Sequence, residues 1–503
     1  MRMNNGFHIL ALASFVAIGT FLSGYDSGIV TTTIAKPSWL AYMDHPSPAW
    51  VGAVASLYYA GQAVGCLLQV LVADRLGRLR FLQLLTATAA FGPIIQLAAT
   101  NMNIFIIGRA VAGLPTGALY TTTAIYLCEV APAYNRGLIA GCSGLMMGGG
   151  IMISNWIGMA CSYAPYGSLQ WRLPIALQIP WSFVLLLGLA TFVPESPRYL
   201  IAQGDIDEAR EVFEGLRPNL DPDELNKEFS HMTAQIDFEA RRRLSRSEGF
   251  RLLRKRVAVA FVCGIMPSLT GAQVIGYFQV RLYQALGIEV NTRLILAGAY
   301  GTVCFLAVTI TDKFVIDRWG RRKLMLSGLA GSVLCLIYSA VMQWQFQFSG
   351  NKVGKAFAVL GIYLLTVVHY AAFGSSPGIY QAEVLPVPLR SKVMGFTGAT
   401  SFAIIAGLSE AAPIAFSTIR HNFYYVFLGP TVLFLIFAYL MFPETKQRML
   451  EEIPSSFGDR VMDVPKSEAT SRSQSQSLPP VYDPHASLHM MKILLADAGR
   501  ADV

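Results

Sequence analysis

Twelve apolar stretches, each long enough to cross a hydrocarbon layer as a helix, alternate with short polar corners along this chain. They run over 8–33, 49–73, 81–100, 103–128, 137–161 and 172–193, then 257–285, 293–316, 323–346, 356–382, 391–416 and 422–442. Helices this apolar need lipid around them, so the pattern points to an all-α membrane protein. Composition agrees. Hydrophobic residues make up 53% and charged residues 14%, against about 25% charged in soluble domains. The net charge of +8 sits in the corners between stretches, so it reports topology and does not imply nucleic acid as a partner.

The corners come in pairs. Asp74-Arg75-Leu76-Gly77-Arg78 returns as Asp317-Arg318-Trp319-Gly320-Arg321-Arg322, and Glu129-Val130-Ala131-Pro132 with Arg136 returns as Glu383-Val384-Leu385-Pro386 with Arg390. Pro194-Glu195-Ser196-Pro197-Arg198 returns as Pro443-Glu444-Thr445. Each copy lies about half a chain after its original, which implies a duplicated bundle of six helices. The expected division is a first bundle at 1–193, a helical linker at 194–256, a second bundle at 257–443 and a largely disordered tail at 444–503. With six spans in each half, both termini share a face. Most Lys and Arg lie in the corners on that face, which places it in the cytoplasm. No organelle address is evident, so the plasma membrane is the expected location.

The linker carries acids early and apolar residues at helical spacing from Asp205 to Leu216, and a second amphipathic helix begins after Pro222. Arg241-Arg242-Arg243 to Arg254-Lys255-Arg256 reads either as a contact for anionic lipid heads or as a positive flank of the seventh span. The first stretch is longer than a signal-peptide core and is expected to stay as the first span. All seven cysteines lie in apolar stretches without metal-ligand spacing, so neither a disulfide framework nor a metal is expected. Nucleophile elbow, P-loop and intramembrane His-Glu pair are missing, which leaves no cofactor, enzyme or ATP-driven pump to argue for.

These motifs resemble the major facilitator superfamily, and within it the sugar porters. Gly24-Tyr25-Asp26, Gly108-Arg109-x-x-x-Gly113 and the paired corners follow the family order from residue 24 to residue 446. The resemblance implies two pseudo-twofold six-helix bundles that rock about a central site, binding a small-molecule substrate and a proton within the lipid bilayer. It departs at Val70, where the family usually has Gly, and this suggests a relaxed approach of the second and eleventh spans.

Corner arginines can reach carboxylates and helix C-termini, so the corners are expected to gate the cytoplasmic side. One cluster should hold Arg75, Arg78, Glu129, Glu195 and Arg136; its twin should hold Arg318, Arg321, Arg322, Glu383, Arg390 and Glu444. Asp74, Arg198 and Asp317 complete the gate set, and solvated topology signals are the alternative. Asp26 and Arg109 each need a partner inside the membrane and are expected to pair with one another. The resemblance makes Asp26 the proton carrier and Arg109 its modulator; a static pair is the alternative.

At the sugar-binding positions the sequence leaves the family pattern. The usual Gln-Gln-x-x-Gly-x-Asn-x-x-x-Tyr-Tyr reads Pro267-Ser268-Leu269-Thr270-Gly271-Ala272-Gln273-Val274-Ile275-Gly276-Tyr277-Phe278. A Gln falls at Gly144, a Trp at Gly378, an Asn at Phe305 and an Asn-Trp pair at Ser401-Phe402. The expected pocket, with Gly144, Ser268, Gln273, Tyr277, Phe278, Gly378, Tyr380, Ser401 and Phe402, is roomier and more apolar than a hexose site. Each hydroxyl buried unpaired costs about 1–3 kcal/mol. A bulkier or less hydroxylated compound is therefore expected: a glycoside, a quinate-like acid or a secondary metabolite. Gln381 can add a polar contact, while Arg281 and Glu410 read as outer gate residues or interface anchors. Facilitated diffusion, efflux and a non-transporting nutrient sensor on the same fold are the alternatives.

Overall fold

In a computed structural model, the chain folds into helices, several of them interrupted within a span. The structure describes residues 5–132, 135–218, 220–242, 248–446, 453 and 457. Most of the 444–503 tail lies outside these residues, as do Arg243 and the side chains of Arg241 and Arg242.

The first half runs through a first span of Asn5–Val16 and Ile18–Thr33, a second of Pro48–Leu76 and a third of Arg78–Ala89 and Phe91–Leu97. The fourth is Met102–Val130, the fifth Arg136–Ala160, and the sixth Leu169–Ala176 with Ile179–Thr191. Pro93 explains the break in the third span: its ring displaces the carbonyl four residues back, where the helix stops at Ala89. Among the described residues eleven helical stretches are long and apolar enough to cross a membrane, and the third span is not one of them.

The second half repeats the order. Its seventh span comprises Glu248–Leu269, Ala272–Tyr277 and Gln279–Ala285, and its eighth Val290–Ile310 with a π turn at Thr311–Val315 and a last turn at Ile316–Trp319. The ninth is Arg321–Phe346, the tenth Lys352–Phe373 and Ser376–Val384, the eleventh Val387–Thr418 and the twelfth Phe423–Met441. The breaks at Thr270-Gly271 and Gly374-Ser375 both border the central cavity. Broken backbone within a membrane is tolerated only where protein or a cavity surrounds it.

The halves meet along two seams, spans 2 with 11 and spans 5 with 8. Val70 does not loosen the first seam as expected, because Gly395 of span 11 receives it: a methyl there would meet Val70 Cγ2 at 2.8 Å. The small residue of this contact lies on the partner helix. On the second seam Trp156 Nε1 donates to Thr302 Oγ1 at 3.0 Å. Large apolar side chains such as Leu187, Leu433 and Leu440 point outward, about 70% exposed, which suits lipid contact.

The linker forms helices Pro197–Gln203, Ile206–Leu216 and Pro222–Arg242. Phe213, Phe229, Met232 and Ile236 bury its apolar faces in a small core of its own.

Candidate functional site

Two mirrored carboxylate–arginine clusters lie on the corner face. Gly77 and Gly320 take φ of +91° and +93°, which side chains resist, and there the chain reverses into the next helix. Glu195 Oε1 accepts the Arg78 and Leu79 amides at 3.0 and 3.2 Å, and Glu444 Oε1 accepts the Arg321 amide at 3.0 Å. Each carboxylate thus caps a helix start whose amides otherwise lack acceptors. Burial pushes the Glu195 carboxyl above the usual carboxylate range.

Side chains repeat the symmetry. Arg78 reaches Asp74 and Glu129 at 3.3 Å each, and Arg321 reaches Asp317 at 2.9 Å and Glu383 at 3.3 Å. Ser196 donates to Glu129 at 2.6 Å and Thr445 to Glu383 at 2.7 Å. Tyr126 donates to the Pro194 carbonyl at 2.8 Å, and Tyr380 to the Pro443 carbonyl at 2.9 Å.

The expected membership of the clusters needs correcting. Arg390 of the second half bonds Glu129 of the first at 3.3 Å, and Arg136 of the first approaches Glu383 of the second at 3.9 Å. The two arginines cross the seam because each opens a helix, span 5 or span 11, that packs on the opposite half. Glu195 and Glu444 bond backbone amides, and Arg78 lies near enough to Glu195 to interact with it. Arg75 and Arg318 are exposed, and Arg322 donates to the Tyr439 carbonyl at 2.7 Å. Arg198 is buried at the start of the linker.

Asp26 and Arg109 pair inside the first half. Arg109 Nη1 meets Asp26 Oδ2 at 2.7 Å, its Nε donates to the Val54 carbonyl at 3.3 Å, and its guanidinium lies 4.1 Å from the centre of the Tyr58 ring. Both residues are buried, and Asp26 Oδ1 and Arg109 Nη2 have no hydrogen-bond partner among the described residues. Tyr277 of span 7 stands close enough to interact with both charges.

Between the halves lies a cavity of about 130 Å³, the size that holds a single six-membered ring. Ser268, Gln273, Tyr277, Gly378, Ser401 and Phe402 line it. Tyr59 stacks on Phe402 at 6.4 Å and Tyr120 meets the same ring edge-on at 6.2 Å.

A family model described as "Sugar (and other) transporter" matches residues 12–457. The chain belongs to that family. The MFS-type transporter criB of Aspergillus cristatus is 31% identical over 90% of this chain and 94% of its own. The low-affinity glucose transporter HXT3 of Saccharomyces cerevisiae is 27% identical, covering 89% and 82% of the two chains. The quinate permease of Neurospora terricola is 28% identical over 89% and 88%. Among solved structures, the proton:xylose symporter XylE bound to 6-bromo-6-deoxy-D-glucose superposes with a TM-score of 0.79 at 18% identity, over 90% of this chain and all of that one. That likeness shows the major facilitator fold.

In this sugar transporter family member three expected pocket residues lie elsewhere. Tyr380 sits in the corner, where it stacks on Phe442. Phe278 packs against Phe416 in the core behind Tyr277. Gly144 does not widen the cavity, because a methyl there would run into the Gly374 carbonyl and Ser375. Gly378 does open space: the nearest atom to an added methyl is Ala124 Cβ at 3.7 Å.

The transporter is also less stripped of amides than the motif departures suggest. Gln62, Asn155, Gln279 and Gln381 line the cavity from positions outside the aligned sugar contacts. Gln381 is held by the Ala260 carbonyl at 2.9 Å, and Gln279 accepts from Tyr283 at 3.1 Å. Both amide ends of Asn155, Gln62 Oε1, Gln273 Oε1 and the Tyr277 hydroxyl are buried without a partner among the described residues. Of these, Gln62 and Asn155 had only a polar residue inside an apolar stretch to announce them. Arg281 and Glu410 do not line the cavity.

Proposed function

We propose that this transporter couples a proton to the movement of a small ring compound by alternating access, with Asp26 carrying the proton and Arg109 holding it in register. The observation that carries this reading is the buried 2.7 Å Asp26–Arg109 pair beside Tyr277, a residue that also lines the cavity. Protonating Asp26 would free Arg109, and ligand bound against Tyr277 would feel that change directly. The corner clusters act as the inner gate: their buried charges favour the closed inner side until both halves part.

The substrate is a sugar-related or less hydroxylated compound, such as a quinate-like acid, a glycoside or a secondary metabolite. Five unpartnered polar atoms on Asn155, Gln62, Gln273 and Tyr277 suit a few hydroxyls. The Tyr59, Tyr120 and Phe402 rings and the opening at Gly378 suit apolar parts of the same compound. A fully hydroxylated hexose would leave several hydroxyls facing aromatic rings. We place the protein in the plasma membrane with the corner face and both termini in the cytoplasm.

The test is uptake into proteoliposomes under an imposed pH gradient, with a panel of hexoses, disaccharides, quinate and apolar glycosides. Accumulation of a panel member that collapses with the gradient is expected. Saturable high-affinity glucose or xylose uptake would overturn the substrate class, and gradient-independent flux would overturn coupling. Binding without flux would make the protein a sensor.

A further inference from the structure

A second carboxyl group lies inside the membrane, in the half that lacks the Asp26–Arg109 pair. Asp312 sits on the π turn of span 8, buried to 4% exposure; such turns recur at functional sites. A buried intramembrane carboxyl is costly and invites a functional reading. Its Oδ2 lies 2.8 Å from Ser375 Oγ, at the break in span 10, and Ser375 Oγ lies 3.2 Å from the Gly141 carbonyl on span 5. Ser375 also lines the central cavity. The row Asp312–Ser375–Gly141 therefore joins the second half to the first, between cavity and corner.

Burial decides the charge of this row. The Gly141 carbonyl lies within the helix of span 5 and already has an intrahelical amide donor, so Ser375 can serve Asp312 in either protonation state. An ionised carboxyl this buried needs a cation to offset its charge. A protonated Asp312 needs none: its O–H donates to Ser375 Oγ and the serine O–H donates to the Gly141 carbonyl. The charged and titratable groups facing Asp312 are Asp317 and Arg321 from the corner and Cys142 from span 5. Arg321 is already engaged by Asp317 and Glu383, and no cation bonds Asp312 among the described residues. Gly141 leaves room for the carboxyl, since a methyl there would fall 2.9 Å from Asp312 Cγ.

We propose that Asp312 is a second proton-binding site, loaded while the corner face is closed and discharged when it opens. Parting of spans 5 and 8 breaks the Ser375–Gly141 bond and admits water to the carboxyl. The O–H bond then breaks, the proton passes to water, and the carboxylate remains solvated. The direction of discharge rests on the transporter reading above; the protonation itself does not.

Infrared spectra of the purified full chain in detergent at neutral pH test the assignment without any flux. Subtracting Asp312→Asn from wild type should leave the carbonyl stretch of one protonated carboxylic acid, and Asp26→Asn should retain that band. Carboxylate bands in the same difference spectrum would overturn the proposal. Should Asp312→Asn fail to fold, Ser375→Ala decides: it must shift the acid band, and an unshifted band sinks the hydrogen-bonded row. Transport failure in the substrate panel would leave this spectrum unchanged, so the two readings fail separately.

Discussion

Arg390 opens span 11 of the second half and bonds Glu129 at the end of span 4 in the first, Nη1 to Oε1 at 3.3 Å. Arg136 and Glu383 repeat the crossing in reverse. Each bundle therefore contributes the cation that its partner's carboxylate needs, and neither cluster is complete unless the corner face is closed. Arg78 stays beside Glu129 at 3.3 Å when Arg390 is removed, so the loss should fall below the cost of a buried charge left alone, about 3–5 kcal/mol. Arg390→Ala should bias the protein toward an open corner face. Cys128 is fully buried beside Arg136, Arg390, Arg321 and Glu383, so its maleimide labelling, read by mass spectrometry, reports that opening. Faster labelling is expected, and the double mutant with Glu129→Gln should show a coupling of about 0.5–3 kcal/mol. Additive effects and unchanged labelling would reduce the crossing to static packing.

The caps give a separate stability prediction. Glu195 and Glu444 hold the first amides of spans 3 and 9 from the far end of each half. Glu195→Ala and Glu444→Ala should each cost about 0.5–2 kcal/mol, the usual loss for a helix cap. Glu195→Gln keeps a carbonyl acceptor and should cost less than Glu195→Ala. Thermal unfolding in detergent checks the order; equal losses for Gln and Ala would show that charge, not the cap, matters at this position.

The repeat made the corners legible: paired Asp-Arg-x-Gly-Arg, Glu and Pro-Glu motifs give the location of every cluster member. The crossing was not legible. Arg136 follows Glu129, and Arg390 follows Glu383, by the same spacing, so sequence alone cannot say which half an arginine serves. Tyr380 lies in the corner and not in the pocket, and the repeat points there. Tyr126 and Tyr380 stand at the same distance before Glu129 and Glu383, and both cap carbonyls of the Pro-Glu corners. In the pocket, aligned positions accounted for losses of amides but not for their arrival elsewhere, because Gln62 and Asn155 sit on faces that only helix packing reveals. Val70 teaches the same lesson: the helices remain close because Gly395 complements it.

Asp26 and Arg109 set a test of coupling apart from binding. Asp26→Asn keeps the shape of the pair but removes the exchangeable proton. Gradient-driven accumulation of whichever panel compound is transported should vanish, while counterflow exchange should persist. Arg109→Lys is not a conservative change, because a lysine cannot serve Asp26 and the Val54 carbonyl at once while stacking on Tyr58. It should impair both activities. Accumulation that survives in Asp26→Asn would remove the proton role from this residue.

Gly144 and Gly378 occupy positions where the family usually carries large side chains, yet the structure gives them opposite roles. At Gly144 the Gly374 carbonyl and Ser375 fill the space above the helix, so Gly144→Ala is overpacked and should cost about 1–3 kcal/mol. It should also disturb the Ser375–Gly141 contact nearby. At Gly378 an added methyl meets only Ala124 at 3.7 Å. Gly378→Ala should therefore fold normally, and helix propensity could raise its stability by up to about 1 kcal/mol. Gly378→Trp places an indole in a cavity with room for about one ring; it should block the transported panel substrate while the protein still folds. A Gly378→Trp variant that folds and transports that substrate unchanged would show that ligand does not occupy the space beside Ala124, and the argument for a bulky apolar face would fall with it.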